Sequence, residues 1–372
     1  MAATIPIWVG TPGGEELAQL EAEPDLSGGA LRRRVAEEIG ASVLALQLEY
    51  RGSVLADEDL LSNILPPVGA RVTVVGTLAS FAVTGSCDGT ARLWSAETGE
   101  SAMTFEGHAG AVYSVALSAD DSQFATASGD ATARIWNPHT GECRRVLRGH
   151  RGCVYSAAFS HDGTLVATAS EDCTSRIWCA RSGNCLQTLL DVGNVVNSAV
   201  FSMDSHLVLT ACSDGAAKLW SVEEAQLSQV LKGHSQAVSS AVFSPNGRGA
   251  TVLTASQDST AKLWSVPTGQ CLRTFPCGGW VRLARFSHDG SCVLVACADS
   301  SASLWSVETG EKLRAFGGHG HCVNSAAFSP DGLLVLTASG DGFAKLWDST
   351  SGECVKTLQG HRGAVLSANF SH

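Results

Sequence analysis

Residues 149–178, GHRGCVYSAAFSHDGTLVATASEDCTSRIW, carry the pattern from which the fold can be predicted. It contains a histidine, a threonine, an aspartate and several serines, which are residue types found in hydrolase active sites. It also contains runs of β-branched and apolar residues separated by short turns, which are typical of β-strands. Whether the polar residues are catalytic or structural depends on how often this arrangement recurs along the chain.

The arrangement belongs to a unit that occurs seven times. Seven tryptophans are spaced 42, 42, 42, 44, 41 and 42 residues apart, and an aspartate precedes each of them by six residues. The tryptophans are Trp94, Trp136, Trp178, Trp220, Trp264, Trp305 and Trp347. The aspartates are Asp88, Asp130, Asp172, Asp214, Asp258, Asp299 and Asp341. A fixed period near 42 residues indicates a repeat architecture.

Each unit contains four strand patterns. In the third unit these are VYSAAF, LVATAS, TSRIW and CLQTLL, joined by turns such as SHDG, EDC and SG. Four short strands in about 42 residues leave no room for a helix, so the unit predicts a four-stranded antiparallel blade.

Residues 78–372 therefore resemble a seven-bladed WD-repeat (WD40) β-propeller. The Gly-His, Asp and Trp marks keep their offsets through most units, although only Trp347-Asp348 is a literal WD pair. The first unit lacks a strand after a Gly-His pair, and the last segment, GHRGAVLSANFSH, supplies one. We therefore expect residues 364–370 to pair with the strands of residues 80–105 and close the ring, which removes the free sheet edges.

Recurrence argues against catalysis, because an active site is needed once and this set appears five times. The sets are His108, Thr126, Asp130 and Trp136; His150, Thr168, Asp172 and Trp178; His234, Thr254, Asp258 and Trp264; His319, Thr337, Asp341 and Trp347; and, after closure, His361 with Thr84, Asp88 and Trp94. The resemblance implies a structural hydrogen-bond network in each blade. In the fourth and sixth units Val192 and Cys277 fall at the histidine position, and in the sixth Val295 replaces the threonine. We expect these two blades to be softer or reshaped for binding.

A second series of residues predicts where a partner binds. Five residues after the histidine position of each unit, the chain has Tyr113, Tyr155, Asn197, Ser239, Arg282, Asn324 and Leu366. In WD propellers these positions resemble those that ring the central channel. Tyrosine, tryptophan and arginine are enriched in interface hot spots. Two residues before these positions the units have mostly small residues, but the sixth unit has Trp280. We predict a protein-binding rim of Tyr113, Tyr155, Asn197, Trp280, Arg282 and Asn324.

The first 76 residues form a different module. Strand patterns at TIPIWVG and LAQLEAEPD precede a helical pattern at residues 26–40, with Leu31, Val35 and Ile39 on one face, and further strand patterns follow. This order resembles the ubiquitin-like β-grasp fold. No di-glycine end follows it, and Glu49 falls at the position of the family's central apolar isoleucine. The resemblance therefore implies neither conjugation nor standard docking to ubiquitin receptors.

Composition excludes several functions. The net charge is −11, with −6 in residues 1–76, and no long basic stripe is present, so we expect no direct nucleic-acid ligand. The 13 cysteines form no C-x-x-C pair and no apolar run comes near 18 residues, and we expect no signal peptide. These features predict reduced thiols, no membrane insertion and a cytoplasmic location, with a nuclear location as the alternative. We expect no catalytic residue, metal site or cofactor.

The sequence thus predicts a mainly β protein, in which a small α+β ubiquitin-like domain at 1–76 precedes a seven-bladed WD40 β-propeller at 77–372. The favoured function is a non-enzymatic scaffold or adaptor, whose rim binds one protein and whose ubiquitin-like domain docks a second. The alternatives are a ribosome-assembly adaptor, which resembles proteins with this domain order, and a substrate adaptor for a ubiquitin ligase or the proteasome. A hydrolase is the least favoured.

Overall fold

The computed structural model describes residues 5–10, 16–23, 26–27, 30–31, 34–35, 38, 48–50, 53–54, 70–74, 81–245 and 250–371. The chain divides into two compact units. The first contains residues 1–81, 120–122 and 372, and the second contains residues 82–119 and 123–371. The predicted division between residues 76 and 77 stays a prediction.

The first unit contains a five-stranded sheet. Its strands are β1 (Ile5–Gly10), β2 (Glu16–Ala22), β3 (Leu48–Tyr50), β4 (Ser53–Val54) and β5 (Ala70–Val74). They lie in the order β2-β1-β5-β3-β4, and β1 and β5 are parallel while the other neighbouring pairs are antiparallel. Ile7, Val9, Leu48 and Val72 are buried in its core.

The predicted helix of this unit is described only in part. Leu31 and Val35 are helical and buried in the same core as the strands, as their spacing on one face requires. Ile39 lies outside the described residues, as do Pro12 and Val75, which the resemblance places beside Glu49. The ubiquitin-like assignment therefore stays a prediction.

The second unit consists of seven four-stranded antiparallel sheets. Blade 1 contains β6 (Phe81–Ser86), β7 (Ala91–Ser95), β8 (Ser101–Phe105) and, from the other end of the chain, β33 (Val365–Phe370). Blade 2 contains β9 (Val112–Leu117), β10 (Phe124–Ser128), β11 (Thr132–Trp136) and β12 (Cys143–Arg148). Blade 3 contains β13 (Val154–Phe159), β14 (Leu165–Ser170), β15 (Thr174–Cys179) and β16 (Cys185–Leu190). Blade 4 contains β17 (Val196–Phe201), β18 (Leu207–Cys212), β19 (Ala216–Ser221) and β20 (Leu227–Lys232).

The remaining blades follow the same plan. Blade 5 contains β21 (Val238–Phe243), β22 (Thr251–Ser256), β23 (Thr260–Ser265) and β24 (Cys271–Pro276). Blade 6 contains β25 (Val281–Phe286), β26 (Cys292–Cys297), β27 (Ser301–Ser306) and β28 (Lys312–Gly317). Blade 7 contains β29 (Val323–Phe328), β30 (Leu334–Ser339), β31 (Ala344–Asp348) and β32 (Cys354–Leu358). The predicted seven-bladed propeller is confirmed.

The ring closes through blade 1, because β33 pairs with β6. Ala368 lies opposite Thr84, and Phe370 lies opposite Ala82. The innermost strands of neighbouring blades contact one another in the order β33, β9, β13, β17, β21, β25 and β29, and β29 returns to β33. No innermost strand of the ring therefore lacks a neighbour on either side.

Burial increases from the outer edge of each blade towards its middle. In blade 3 the second strand, β14, is buried from Val166 to Ser170, which explains its almost continuous apolar and small sequence. The outermost strand, β16, is exposed at most positions. The hydrophobic clusters lie between blades, so that Trp178 of blade 3 packs with Ile135 and Leu147 of blade 2. Each blade is therefore stabilised by its neighbour.

Candidate functional site

A continuous hydrogen-bond chain crosses blade 3. The indole N–H of Trp178 donates to Thr168 Oγ1 at 2.8 Å, and this hydroxyl lies 2.7 Å from Nε2 of His150. On the other side of the ring, Nδ1 of His150 lies 2.9 Å from Oδ2 of Asp172. Because a carboxylate only accepts, Nδ1 carries the proton, and Nε2 accepts from the threonine hydroxyl.

The same chain occurs in blades 1, 2, 5 and 7. In all five blades the Nδ1-to-carboxylate distance is 2.8–2.9 Å and the Nε2-to-threonine distance is 2.7 Å. The histidines are His361, His108, His150, His234 and His319, and their side chains are buried. Thr84, Thr126, Thr254 and Thr337 accept from Trp94, Trp136, Trp264 and Trp347. The structure thus brings together all 20 residues predicted for the network.

Protonation in this network is held in one state. Burial lowers the pKa of His150, and it outweighs the opposing effect of its hydrogen bond to Asp172. Burial alone would raise the pKa of Asp172, but hydrogen bonds from Thr174, the Arg151 backbone and His150 lower it to about 2. The histidine pKa is also lowered in the other four blades, so neutral imidazole faces carboxylate throughout.

This arrangement does not suit acyl transfer. In blade 3 Oγ1 of Thr168 already accepts from Trp178 and bonds His150, and the threonine is fully buried. A nucleophile must reach its substrate and have a base that is free to take its proton. The geometry of this network therefore favours a structural role over a catalytic one.

Blade 4 has a buried ion-pair cluster in place of the histidine network. The sequence aligns Val192 with the histidine, but Val192 is 81% exposed and takes no part. Instead the preceding residue, Asp191, is buried and accepts from Nζ of Lys218 through both oxygens at 2.7 Å. Lys218 also donates to Asp214 at 2.7 Å, and the Cys212 thiol donates to Asp191 at 2.9 Å. The prediction that Val192 takes the place of the histidine is wrong, because the loop turns Asp191 into the blade and leaves Val192 exposed.

Blade 6 has no histidine network. The loop that leads into blade 6, between Pro276 and Val281, is one residue shorter than the loop that leads into blade 3, between Arg148 and Val154. Contact with Cys277 and burial raise the pKa of the Cys297 thiol, and contact with Cys297 lowers the pKa of Cys277. Cys297 occupies the position of Ser170 in blade 3, and Asp299 keeps the position of the turn aspartate. The indole of Trp305 donates to Ser303 instead of to a threonine.

The central channel contains most of the residues predicted to bind a partner. Its volume is about 550 Å³, and Tyr113, Tyr155, Asn197, Arg282 and Asn324 are among the residues that line it. We call the end of the channel where the innermost strands begin the upper mouth. These five residues lie one position after the first residue of their strands, at this mouth.

The two tyrosines form an aromatic pair at the upper mouth. The rings of Tyr113 and Tyr155 meet edge to face, with their centroids 5.2 Å apart. Burial, together with Glu171, raises the pKa of Tyr155 to about 12, and the pKa of Tyr113 is also raised. Both phenols therefore stay neutral at physiological pH and remain hydrogen-bond donors.

Asn197 and Asn324 have structural contacts. Nδ2 of Asn197 donates to the backbone oxygen of Val238 in blade 5, at 2.8 Å. Nδ2 of Asn324 donates in the same way to Val365 in blade 1, also at 2.8 Å. These side chains join neighbouring innermost strands, so a shared register position does not give all members one role.

Blade 6 presents its large side chains towards solvent and the channel. Trp280 is 48% exposed on the short loop, outside the residues that line the channel. Arg282 is exposed at the upper mouth, and Arg285 lines the channel farther along β25. Within the part of the chain that the structure describes, Arg285 has one hydrogen bond, from NH1 to Oδ1 of Asn369 at 2.8 Å.

Arg285 was missed by the sequence analysis, although a signal was present. The corresponding positions of the seven innermost strands are Ala116, Ala158, Val200, Val242, Arg285, Ala327 and Asn369. Five are small or apolar, and the two polar ones are the pair that the structure joins. The predicted rim residues all lie near the strand starts, and Arg285 lies three residues beyond Arg282.

The chain belongs to the WD40 family. The family model described as WD domain, G-beta repeat matches residues 99–137, 141–179, 183–221, 225–265, 269–306 and 310–348, which together exceed half of the chain. Members of this family are typically non-enzymatic scaffolds that bind protein partners. No curated protein matches the chain.

Across the described ranges, no group of three or more histidine, cysteine, aspartate or glutamate side chains is arranged to hold a metal ion. The same residues include no helix with the length and apolar character needed to cross a membrane.

Proposed function

We propose that the chain is a protein-interaction scaffold that binds a segment of a partner protein across the upper mouth of its propeller. Family membership supports the scaffold class. The buried histidine networks support it too, because they hold the blades rigid and leave the rim as the part that varies from blade to blade.

One observation carries the location of the site. In a ring of seven blades, blade 6 lies three steps from both blade 2 and blade 3, so Arg282 stands across the mouth from the Tyr113–Tyr155 pair. A segment lying over the mouth therefore meets an aromatic pair on one side and a cation on the other. Trp280 adds an exposed aromatic ring beside Arg282. Aromatic residues and an arginine at one concave mouth favour an interface.

The rim residues divide into two roles. Tyr113, Tyr155, Trp280 and Arg282 contact the partner in this proposal. Asn197 and Asn324 support the rim, because each commits its amide nitrogen to the backbone of the next blade. Their loss would weaken binding by loosening the mouth.

We further propose that residues 1–76 form a ubiquitin-like module that docks a second protein. The strand order β2-β1-β5-β3-β4, with parallel β1 and β5 in the middle, supports this proposal. Two binding modules on one chain raise the effective concentration of one partner near the other without any chemistry.

The experiment is an affinity capture from cell extract with mass spectrometry. The full chain is compared with a rim variant carrying Tyr113→Ala, Tyr155→Ala and Arg282→Ala. A matched control carries Leu186→Ala, Leu272→Ala and Arg148→Ala, which alter exposed residues on outermost strands. We expect the rim variant to lose at least about ten-fold of one group of captured proteins, because hot-spot truncations cost that much or more. The control should keep them.

Equal melting temperatures of the three proteins are required for the comparison. A partner set that the rim variant retains and the outer-strand control loses would contradict the rim assignment. It would place recognition on the outer edges of the blades.

A further inference from the structure

The central channel carries positive charge. Arg282 and Arg285 both line it, three residues apart on β25. Strict strand alternation would point such residues to opposite faces. The register shift between Val281 and Leu283 inserts one extra residue, so both arginines reach the channel.

Among the described residues that line the channel, no negative side chain balances this charge. The described residues that line it include tyrosine, serine, asparagine and apolar side chains, and neither aspartate nor glutamate. Arg285 bonds only the neutral amide of Asn369, and no ion pair joins Arg282 or Arg285 to a carboxylate in the described part of the chain. The chain as a whole has a net charge of −11, so this channel opposes the overall charge.

Burial makes the unpaired positive charge of Arg285 energetically unfavourable. Burial lowers its pKa to about 10, so the guanidinium stays charged at neutral pH while it is partly removed from water. A desolvated cation gains most from an oxyanion, because a guanidinium offers paired N–H donors that match the two oxygens of a carboxylate.

We propose that Arg282 and Arg285 form an anion-binding site in the channel that takes an aspartate or glutamate side chain of the bound partner segment. This inference rests on the proposed function and names the chemistry that the upper mouth selects. A volume of about 550 Å³ admits a short protruding segment and its side chains, and the tyrosine pair at the entrance suits a peptide.

The test uses a synthetic library of acetylated octapeptides that contains all standard residues and phosphoserine. The immobilised full-length chain selects peptides, and sequencing of the bound pool gives the enrichment at each position. Arg285→Gln and Arg282→Gln are compared with Arg148→Gln, which removes the same charge from the exposed outermost strand of blade 2. Melting temperatures verify that each variant is folded, and Arg282→Gln keeps the test available if Arg285→Gln does not fold.

We expect the wild-type chain and Arg148→Gln to enrich aspartate or glutamate at one position. Arg285→Gln and Arg282→Gln should lose that enrichment and keep the remaining preferences. For the best glutamate peptide and its glutamine counterpart, Arg285→Gln should weaken binding of the first by about ten-fold or more and of the second by less than about two-fold.

Five results overturn the inference or the proposed function on which it rests. Selection of peptides without acidic enrichment, or acidic enrichment that both arginine variants retain, refutes the anion site and leaves the scaffold proposal standing. Enrichment of phosphoserine above aspartate and glutamate assigns the site to phosphate instead. A wild-type chain that selects no peptide, or one whose selection survives Tyr113→Ala with Tyr155→Ala, refutes the proposed function itself.

Discussion

Lys218 donates to both carboxylate oxygens of Asp191, each at 2.7 Å, beside the position where five other blades hold a histidine. The cation of this pair comes from the third strand of the blade and the anion from the loop before the first, so the two groups hold blade 4 together as the histidine and aspartate do elsewhere. Asp214 completes the cluster from its partly exposed turn.

Removing one charge of this pair should destabilise the chain strongly. Lys218→Met leaves Asp191 buried without its cation, and we expect the free energy of unfolding to fall by about 3–5 kcal/mol. The double variant Lys218→Met with Asp191→Leu should recover most of this loss, because no buried charge is then left unpaired and Asp214, which also loses its cation, lies in an exposed turn. Urea unfolding measures both. Equal losses in the single and double variants would contradict the pairing argument.

The histidine network predicts a second loss of stability. His150→Ala leaves Asp172 and Thr168 without their partner, and we expect a loss of about 2–3 kcal/mol, as for hydrogen bonds to charged groups. His161→Ala is the matched control, because His161 is exposed in the turn between β13 and β14. A melting temperature that His150→Ala leaves unchanged would refute the structural role.

Stability should also depend on pH through these histidines. Their pKa is lowered in the folded chain, so below about pH 6.5 the unfolded chain binds more protons than the folded one. The free energy of unfolding should therefore be full above about pH 6.5 and fall as the pH drops through that value. The lowered aspartate pKa adds a further loss below about pH 4, towards about 2 for Asp130 and Asp172. Urea unfolding between pH 8 and pH 4 measures the first effect, and a flat profile from pH 7.5 to 5 would exclude it.

Gly85 of blade 1 leaves room for the larger side chain of Val115 in blade 2. The other blades have alanine at both positions, for example Ala127 and Ala157. A Cβ added at Gly85 would lie 2.9 Å from Cγ1 of Val115 and 2.8 Å from Cγ1 of Val112. Gly85→Ala should therefore destabilise the chain by about 1–3 kcal/mol, although it restores the residue that the repeat favours.

The test of this exchange is a double-mutant cycle. Val115→Ala in the Gly85→Ala background should regain stability, whereas Val115→Ala alone should lose it by leaving a cavity. Additive losses would show that the two residues do not share the space.

Recurrence explains how much of this structure could be predicted from the sequence. Offsets of histidine, threonine, aspartate and tryptophan that repeat in five units place each residue on a known strand or turn, and the structure joins them as expected. Blade 4 escapes this reasoning, because Asp191 is one residue away from the aligned position and only the course of the loop turns it inwards. Lys218 escapes it too, because its position is occupied by Arg176 and Lys262 in other blades, where these cations donate to Cys185 and Thr274 instead of to an aspartate.

The rim was predicted less well, because register gives position and not contacts. Asn197 and Arg282 occupy the same place in their strands, but the first bonds the neighbouring backbone and the second is exposed. The shorter loop of blade 6 is visible as the spacing of 41 residues between Trp264 and Trp305. The positions of Cys277 and Trp280 on this loop could not be predicted from its length, because they depend on the path of the backbone.

The indole hydrogen bonds have a consequence for how unfolding of the ring can be followed. Each blade holds one tryptophan whose N–H is bonded to a threonine or serine of the same blade, and each such proton is protected only while its blade stays closed. Exchange of the seven indole protons with deuterium would therefore report local opening blade by blade. The ring carries seven reporters at equal intervals, and the order in which they exchange shows which sector opens first.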